Sequence, residues 1–322
     1  MDLLRRIRSE AEQCWQSSRA LTGLTAVMLA AFLASVAGIG LDARMVAGAP
    51  VWLKPAKFAI SSAIYAGTLA WLFRYIQVRP RALRSLGMIT AAVLAVEVGI
   101  IDLQAARGTT SHFNVGSPLN ATLWGTMGVA IGILWLASIG ILIALCRQKF
   151  GDRGFGWALR LGMLITVIGS ATGGLMVGPT EQQRAVMTHH APQMVGSHTV
   201  GAPDGGPGLP GVGWSSNHGD LRIPHFLGLH ALQLIPLLYL LRTGRSGGMR
   251  RTTDPAYVFV TSSSYLALIG ILTWQALRGQ SIVQPDSTTA WALLLWLAGT
   301  GLALAVPRMK SNNYRQSTVG VV

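Results

Sequence analysis

The residues best suited to chemistry in this chain are seven histidines and one deeply placed acid. Imidazole is the commonest metal ligand and titrates near neutral pH. His112, His198, His225 and His230 sit beside helix starts and tight turns, so they are candidate ligands for a transition metal. His189, His190 and His218 read as polar loop surface. The acid lies in the stretch VEVGIIDLQAARGTTSHFN, where Glu97 precedes Gln104 by seven residues, about 10 Å along a helix and on the same face. An ionisable group at that depth in an apolar segment is by default a functional hypothesis.

Glu97 is accordingly expected to accept a proton or ligate the metal, with His230 as its partner at similar depth on a later segment. Asp102 and Arg107 are expected to pair nearby and brace the mouth, as are Asp220 and Arg222. Gln104 and Gln233 share helix faces with Glu97 and His230 and complete the polar shell. His225 and His230 are five apart, so about 140° separates them on a regular helix. They can share a metal only if the helix is irregular near Pro224, which equally suits a first helical turn. This spacing is unlike the His-Glu-x-x-His pattern of zinc proteases. Haem, needing histidines on facing helices, is the lesser cofactor expectation.

The elements that must position these residues are membrane spans. Of 322 residues, 51% are hydrophobic and 12% charged, about half the charge of a soluble domain. Eight apolar segments come near the ~20 residues that cross a bilayer: 20–41, 56–78, 85–104, 119–146, 156–178, 221–242, 256–277 and 288–306. The first could pass for a signal peptide, since Ser35-Val36-Ala37 resembles a cleavage site, but it is longer than an ordinary apolar core of one. Residues 2–19 suit a basic interfacial helix. The class expected is all-α, a bundle of eight transmembrane helices forming a single membrane domain over 1–322.

Charge orients the bundle. One set of connections holds Arg5, Arg6, Arg8 and Arg19, then Arg79, Arg81 and Arg84, then Arg147, Lys149 and Arg153. The same set continues with Arg242, Arg245, Arg250 and Arg251, and ends with Arg308, Lys310 and Arg315. The alternate set is basic-poor. The bias places both termini in the cytoplasm and all seven histidines at or near the outer face. It also accounts for the net charge of +14 without nucleic acid, for which no binding motif is present. Cys14 and Cys146 fall on the reducing side, so no disulfide is expected.

The connection 179–220 is long for a compact protein, and its Gly/Pro turns with Trp214 predict an ordered extracytoplasmic lid or plug. Gly128-x-x-x-Gly132 and Gly169-x-x-x-Gly173 predict close helix packing, intramolecular by default. No phosphate loop, nucleophile elbow or internal repeat is present.

The motifs Lys54-Pro55-x-Lys57-Phe58, Arg107-Gly108-x-x-Ser111-His112-Phe113-Asn114, His198-Thr199-Val200-Gly201 and Gly219-Asp220-Leu221-Arg222-x-x-His225-Phe226 resemble those of an uncharacterised group of bacterial multi-pass membrane proteins. The resemblance covers most of the chain and implies a bacterial inner-membrane location, with no activity attached. The functional expectation is a membrane-embedded metalloprotein of enzymatic type with a His/acid site at the outer face. Its ligand would be hydrophobic or small and reach it from the outer leaflet. The alternatives are a proton-coupled transporter using Glu97 and His230, and a structural subunit of a membrane complex.

Overall fold

The structure, a computed structural model, describes residues 2–244 and 255–319, with side chains described over 4–244 and 255–305. The fold is helical throughout apart from short extended pieces. Arg245, Arg250 and Arg251 lie outside the described residues, as do the side chains of Arg308, Lys310 and Arg315.

Seven helices among the described residues are long and apolar enough to cross a membrane, or eight if one bent pair is a single span. Leu33, Leu136 and Leu295 are 66%, 63% and 70% exposed. Exposed leucines of this kind along long apolar helices point to a lipid environment.

The chain forms two compact units. The first comprises Met1–Gln148 with Gly173–Gly213, and the second Lys149–Thr172 with Trp214–Val322.

In the first unit, α1 (Asp2–Ser17) leads into the apolar α2 (Arg19–Leu41), whose N-cap Ser18 accepts from the Leu21 amide. A hairpin of β1 (Met45–Val46) and β2 (Ala49–Pro50) turns the chain into α3 (Leu53–Phe73). Trp52 fills the corner against Gly38, where a Cβ would sit 2.7 Å from the indole, and its Nε1 donates to Asp42 at 2.9 Å. The long α4 (Pro80–Ala106) and α5 (Pro118–Arg147) complete the set of long helices. Both begin at proline, which is preorganised for the first turn and has no N–H to orphan. Arg44 donates to the Ala106 carbonyl at 3.0 Å, giving a partner to one of the acceptors left over at the end of α4.

The second unit holds α6 (Arg153–Ala171), α8 (Arg222–Leu229), α9 (Ala231–Thr243), α10 (Pro255–Leu277) and α11 (Ser287–Val319). The segment expected as one continuous sixth span is broken between α8 and α9, with a 51° bend centred on His230. Two sequence features explain the break. Pro236 inside α9 has no N–H to give to the preceding turn. Thr166 of α6 then inserts its hydroxyl: Oγ1 accepts from the Leu232 amide at 3.0 Å and lies 3.4 Å from the Leu229 carbonyl. Side-chain insertion of this kind is a recognised cause of helix kinks, and within a membrane the freed groups must be satisfied by protein.

Of the two glycine motifs, Gly169 packs as expected. A Cβ there would meet the Gly228 Cα at 2.3 Å, so α6 and α8 touch backbone to backbone. Gly128 and Gly132 differ from expectation: nothing lies within 4 Å of a Cβ built on either, so this pair is not an intramolecular contact among the described residues. Gly169→Val should therefore cost about 3 kcal/mol or prevent folding, by overpacking, whereas Gly128→Ala should stay within about 0.5 kcal/mol of the parent. Thermal melts of the two variants in one detergent check both expectations.

Candidate functional site

The candidate site lies wholly in the first unit, at the C-terminal end of α4. Glu97 is 3% exposed, and its nearest imidazole is His112, Nε2 to Oε1 at 3.6 Å. That distance is an ion-pair approach too long for a hydrogen bond. The other carboxylate oxygen, Oε2, is buried without a hydrogen-bond partner. Within the first unit the imidazole that meets Glu97 is thus a histidine only 15 residues along the chain, whereas His230, the partner expected, belongs to the second unit. Helical period identifies neighbours on one helix and is silent about a residue carried back by the following loop, which is how His112 reaches Glu97. Lys54, in the first turn of α3, is the cation whose charge acts on Glu97, and its ammonium lies 5.7 Å from the Phe58 ring centroid.

The loop RGTTSHFN is built to aim His112. Asn114 ties it together, donating to Thr109 Oγ1 at 3.0 Å and the Thr110 carbonyl at 3.1 Å while its own carbonyl accepts from Gly116 N. Gln104, fully buried, donates to the Thr110 carbonyl at 3.3 Å and to Asn120 at 3.1 Å. Arg107 donates to the side chains of Gln104 and Asn120. The expected Asp102–Arg107 pair is therefore not formed: Arg107 points back over the loop, and Asp102 Oδ1 is buried with no hydrogen-bond partner. On the helix, a spacing of five carries Asp102 away from that side of α4.

Phe113 sits at φ +63°, a region that bulky L-residues rarely adopt. Strain of this kind persists only where the surroundings enforce it. Here the Phe113 carbonyl accepts from Val195 N at 2.8 Å and Val115 N donates to the Gln193 carbonyl at 3.0 Å, so the segment 193–195 clamps the loop on both sides. The next residue, Gly196, is at φ +108°, and a Cβ there would lie 2.5 Å from the Phe113 ring. The side chain of Gln183 on α7 (Glu181–Met187) bonds both the N–H and the carbonyl of Gly196 at 2.9 Å.

This clamp delivers His198. Its Nδ1 lies 2.7 Å from Asp204 Oδ2, and the same carboxylate accepts the amides of His198 and Thr199 at 3.1 and 2.9 Å. These donors, with the neighbouring imidazole, hold the Asp204 carboxyl well below the usual carboxylate range despite its partial burial. An ionised carboxylate only accepts, so the proton between the two residues belongs to Nδ1. The His198 Nε2 is then the basic nitrogen whenever the ring is neutral. The rings of His112 and His198 are 6.4 Å apart, with Phe113 against both at 6.1 and 4.8 Å and Trp124 5.3 Å from His112. Phe58 closes the other side of His112 at 5.5 Å. The result is two carboxylate–imidazole couples, Glu97–His112 and Asp204–His198, facing each other within aromatic walls.

The four histidines expected as metal ligands divide two and two between the units. In the second unit His225 Nδ1 lies 3.1 Å from the Gly169 carbonyl and 3.4 Å from Thr172 Oγ1, a bond that ends α6. His230 meets the Phe226 ring edge-on, with centroids 4.4 Å apart. Among the described residues no three His, Cys, Asp or Glu side chains converge as a metal-holding group. The Asp220–Arg222 pair forms as expected, with Arg222 Nε 2.9 Å from a carboxylate that also accepts Ser215 N at 2.7 Å. His189 and His190 are exposed at the end of α7.

Sequence reasoning missed Asp204, Lys54, Asn120 and the aromatic walls as site components. Asp204 carried a signal: Pro203-Asp204-Gly205 reads as a turn, and a turn six residues after a histidine can return a carboxylate to it. No protein-family model, curated protein or solved structure matches this chain.

Asp204 has a folded pKa below its unfolded value of about 3.9. Its contribution is therefore complete above that value and is lost as the pH falls through the lower folded pKa. Asp204→Asn should make the 197–204 segment more protease-sensitive at pH 7. The difference from the parent should shrink toward zero as the pH is lowered below about 4. Limited proteolysis across that range, read by mass spectrometry, checks the sign.

Proposed function

We propose that this chain is a membrane-embedded acid–base enzyme with its active site at the extracytoplasmic end of the first unit. The observation that carries the reading is the pairing of two carboxylate–imidazole couples whose rings are 6.4 Å apart. Enzymes that move protons in both directions place two such groups in environments of different character. His198, oriented through Nδ1 by Asp204, is the general base. The Glu97–His112 couple, drier and at the helix end, supplies or returns the proton. Lys54 would balance negative charge developing on the reacting group. The reaction class this supports is hydrolysis or transfer at a polar head group, with water or a substrate hydroxyl activated by His198 Nε2.

The extracytoplasmic placement rests on the charge bias of the connections, under which both termini are cytoplasmic and the bent α8–α9 pair is the sixth of eight spans. A bacterial inner membrane fits that topology and the motif resemblance. The segment 179–220 would act as a lid, since Val195, Gly196 and His198 hold one wall of the site.

A resident metal is supported less well, because among the described residues no three His, Cys, Asp or Glu side chains converge as a metal-holding group. Proton-coupled transport is also less well supported. From Ala20 to Leu41, Phe58 to Phe73, Leu86 to Val96 and Leu119 to Cys146 the chain contains no acid, base or histidine to continue a relay.

The test is turnover by the reconstituted protein on a mixed pool of phospholipids and acyl esters, followed by mass spectrometry. His198→Ala and Asp204→Asn should each lower it by about 10²-fold or more, with Glu97→Gln similar. Histidine nitrogen NMR should show His198 protonated on Nδ1, a state lost in Asp204→Asn. Stoichiometric metal that disappears in His112→Ala would instead favour the metal centre. Proton flux in vesicles without turnover would favour transport.

A further inference from the structure

The helix α1 packs on the protein through its polar side. Glu10 and Gln13 accept from the Arg74 guanidinium, and Ser17 donates to the Ala70 carbonyl at 2.6 Å. These three residues, spaced three and four apart, form one face and fix α1 to the end of α3. The apolar stripe of the same helix, Leu4, Ile7, Ala11 and Trp15, lies about 130° around from that face. It is left open: Leu4, Ile7 and Trp15 are 75%, 56% and 47% exposed. An amphipathic helix turned this way round has its apolar face free for surroundings other than its own fold.

Its place in the first unit says what those surroundings are. Ala70 and Arg74 mark the C-terminal end of α3, with Ala70 about 24 Å along that helix from Lys54, so α1 sits at the end opposite the candidate site. Ser18 follows α1 and caps α2, so α1 meets the first turn of a helix long and apolar enough to cross a bilayer. A cleft of about 400 Å³ lies in the angle, lined by Arg8, Ala11, Glu12, Trp15 and Gln16 of α1 and by Thr22 of α2. The Trp15 ring rests 3.9 Å from a Cβ built on Gly23, and the Thr22 hydroxyl is buried without a hydrogen-bond partner. Tryptophan is enriched at the boundary between hydrocarbon and water.

Charge specifies the kind of lipid. Arg5 and Arg8, three apart, flank the apolar stripe on the side away from α3, and Arg19 shares the face of Thr22 at the start of α2. All three are exposed. Arg8 pairs with Glu12, but at 84% and 60% side-chain exposure such a pair contributes little and leaves the guanidinium open to a second anion. Glu10 is taken up by Arg74.

We infer that α1 lies in the membrane surface and binds an anionic phospholipid, with its apolar stripe among the acyl chains and the phosphate held by Arg5, Arg8 and Arg19. This site is independent of the chemistry proposed for Glu97 and His198.

The experiment reads backbone hydrogen exchange by mass spectrometry on the full chain in two kinds of vesicle, phosphatidylcholine alone and an equal mixture with phosphatidylglycerol. The α1 amides should exchange about tenfold more slowly or better in the mixture, while those of α6 stay unchanged. Arg5→Gln combined with Arg8→Gln should abolish that gain, since two arginines at an anionic surface are worth about thirtyfold in affinity. Its thermal melt should match the parent, because both side chains are exposed. High salt should erase the gain in the parent as well. Trp15→Ser should lower α1 protection in both vesicles. Protection equal in the two vesicles and indifferent to the arginine variant would overturn the inference. Protection produced by free glycerol phosphate over phosphatidylcholine would mean a soluble phosphate ligand and overturn the lipid assignment. Protection that follows the protein-to-lipid ratio would mean a second copy of the chain and overturn it too.

Discussion

A carboxylate inside an apolar bundle is the constraint around which the first unit is arranged. Glu97 is buried, at 3% exposure, and isolated burial of its charge would be prohibitive. The chain answers with groups brought from three directions: Lys54 from the start of α3, His112 from the α4–α5 loop, and the rings of Phe58 and Trp124 that pack against that imidazole. Each of those groups then needs its own support. His112 depends on the loop that Asn114 and Gln104 tie, and that loop depends on the 193–198 segment clamped to Phe113. The connection after α6 is thereby drawn into the same structure, and Asp204 is its fastener.

How much of this was legible in the sequence follows from the range of each signal. Apolar runs report on the bilayer directly, so the span segments and their packing glycine Gly169 were readable, as was the local pair Asp220–Arg222. Depth along one helix was readable too, which singled out Glu97 and Gln104. What could not be read was which distant element meets a given face. Matching depth alone pointed to His230 as the partner of Glu97 and left His112 nearer the mouth. The choice is made by a five-residue return loop whose geometry depends on a strained phenylalanine. Arg107 was assigned to the nearest opposite charge in sequence, Asp102, but the helix turns those two apart and the loop supplies Gln104 and Asn120 instead.

The break at His230 shows the same limit in the second unit. Pro236 and Pro224 were visible, yet neither says where the helix yields. The answer comes from Thr166 on another helix, whose hydroxyl accepts the Leu232 amide. A membrane makes such arrangements obligatory rather than optional, because no water is present to take up a freed amide. The position of the bend is set by the partner that can satisfy it, and that partner lies 66 residues away.

A purely structural account of the Glu97 cluster has to explain its expense. A leucine in place of Glu97 would remove a buried acid with an unpartnered oxygen, and an apolar substitute for a buried charge is commonly neutral or stabilising. A glycine at 113 would carry without strain a positive φ that is disfavoured for a bulky side chain. Asp204 alone could organise the 197–204 turn through the two amides it binds, with no need for an imidazole on its other oxygen. Stability therefore asks for none of the three features that define the site: the dry acid, the strained aromatic, and the oriented imidazole. We read their convergence within one unit as the mark of a working site, since natural folds depart from locally favourable choices mainly at such sites.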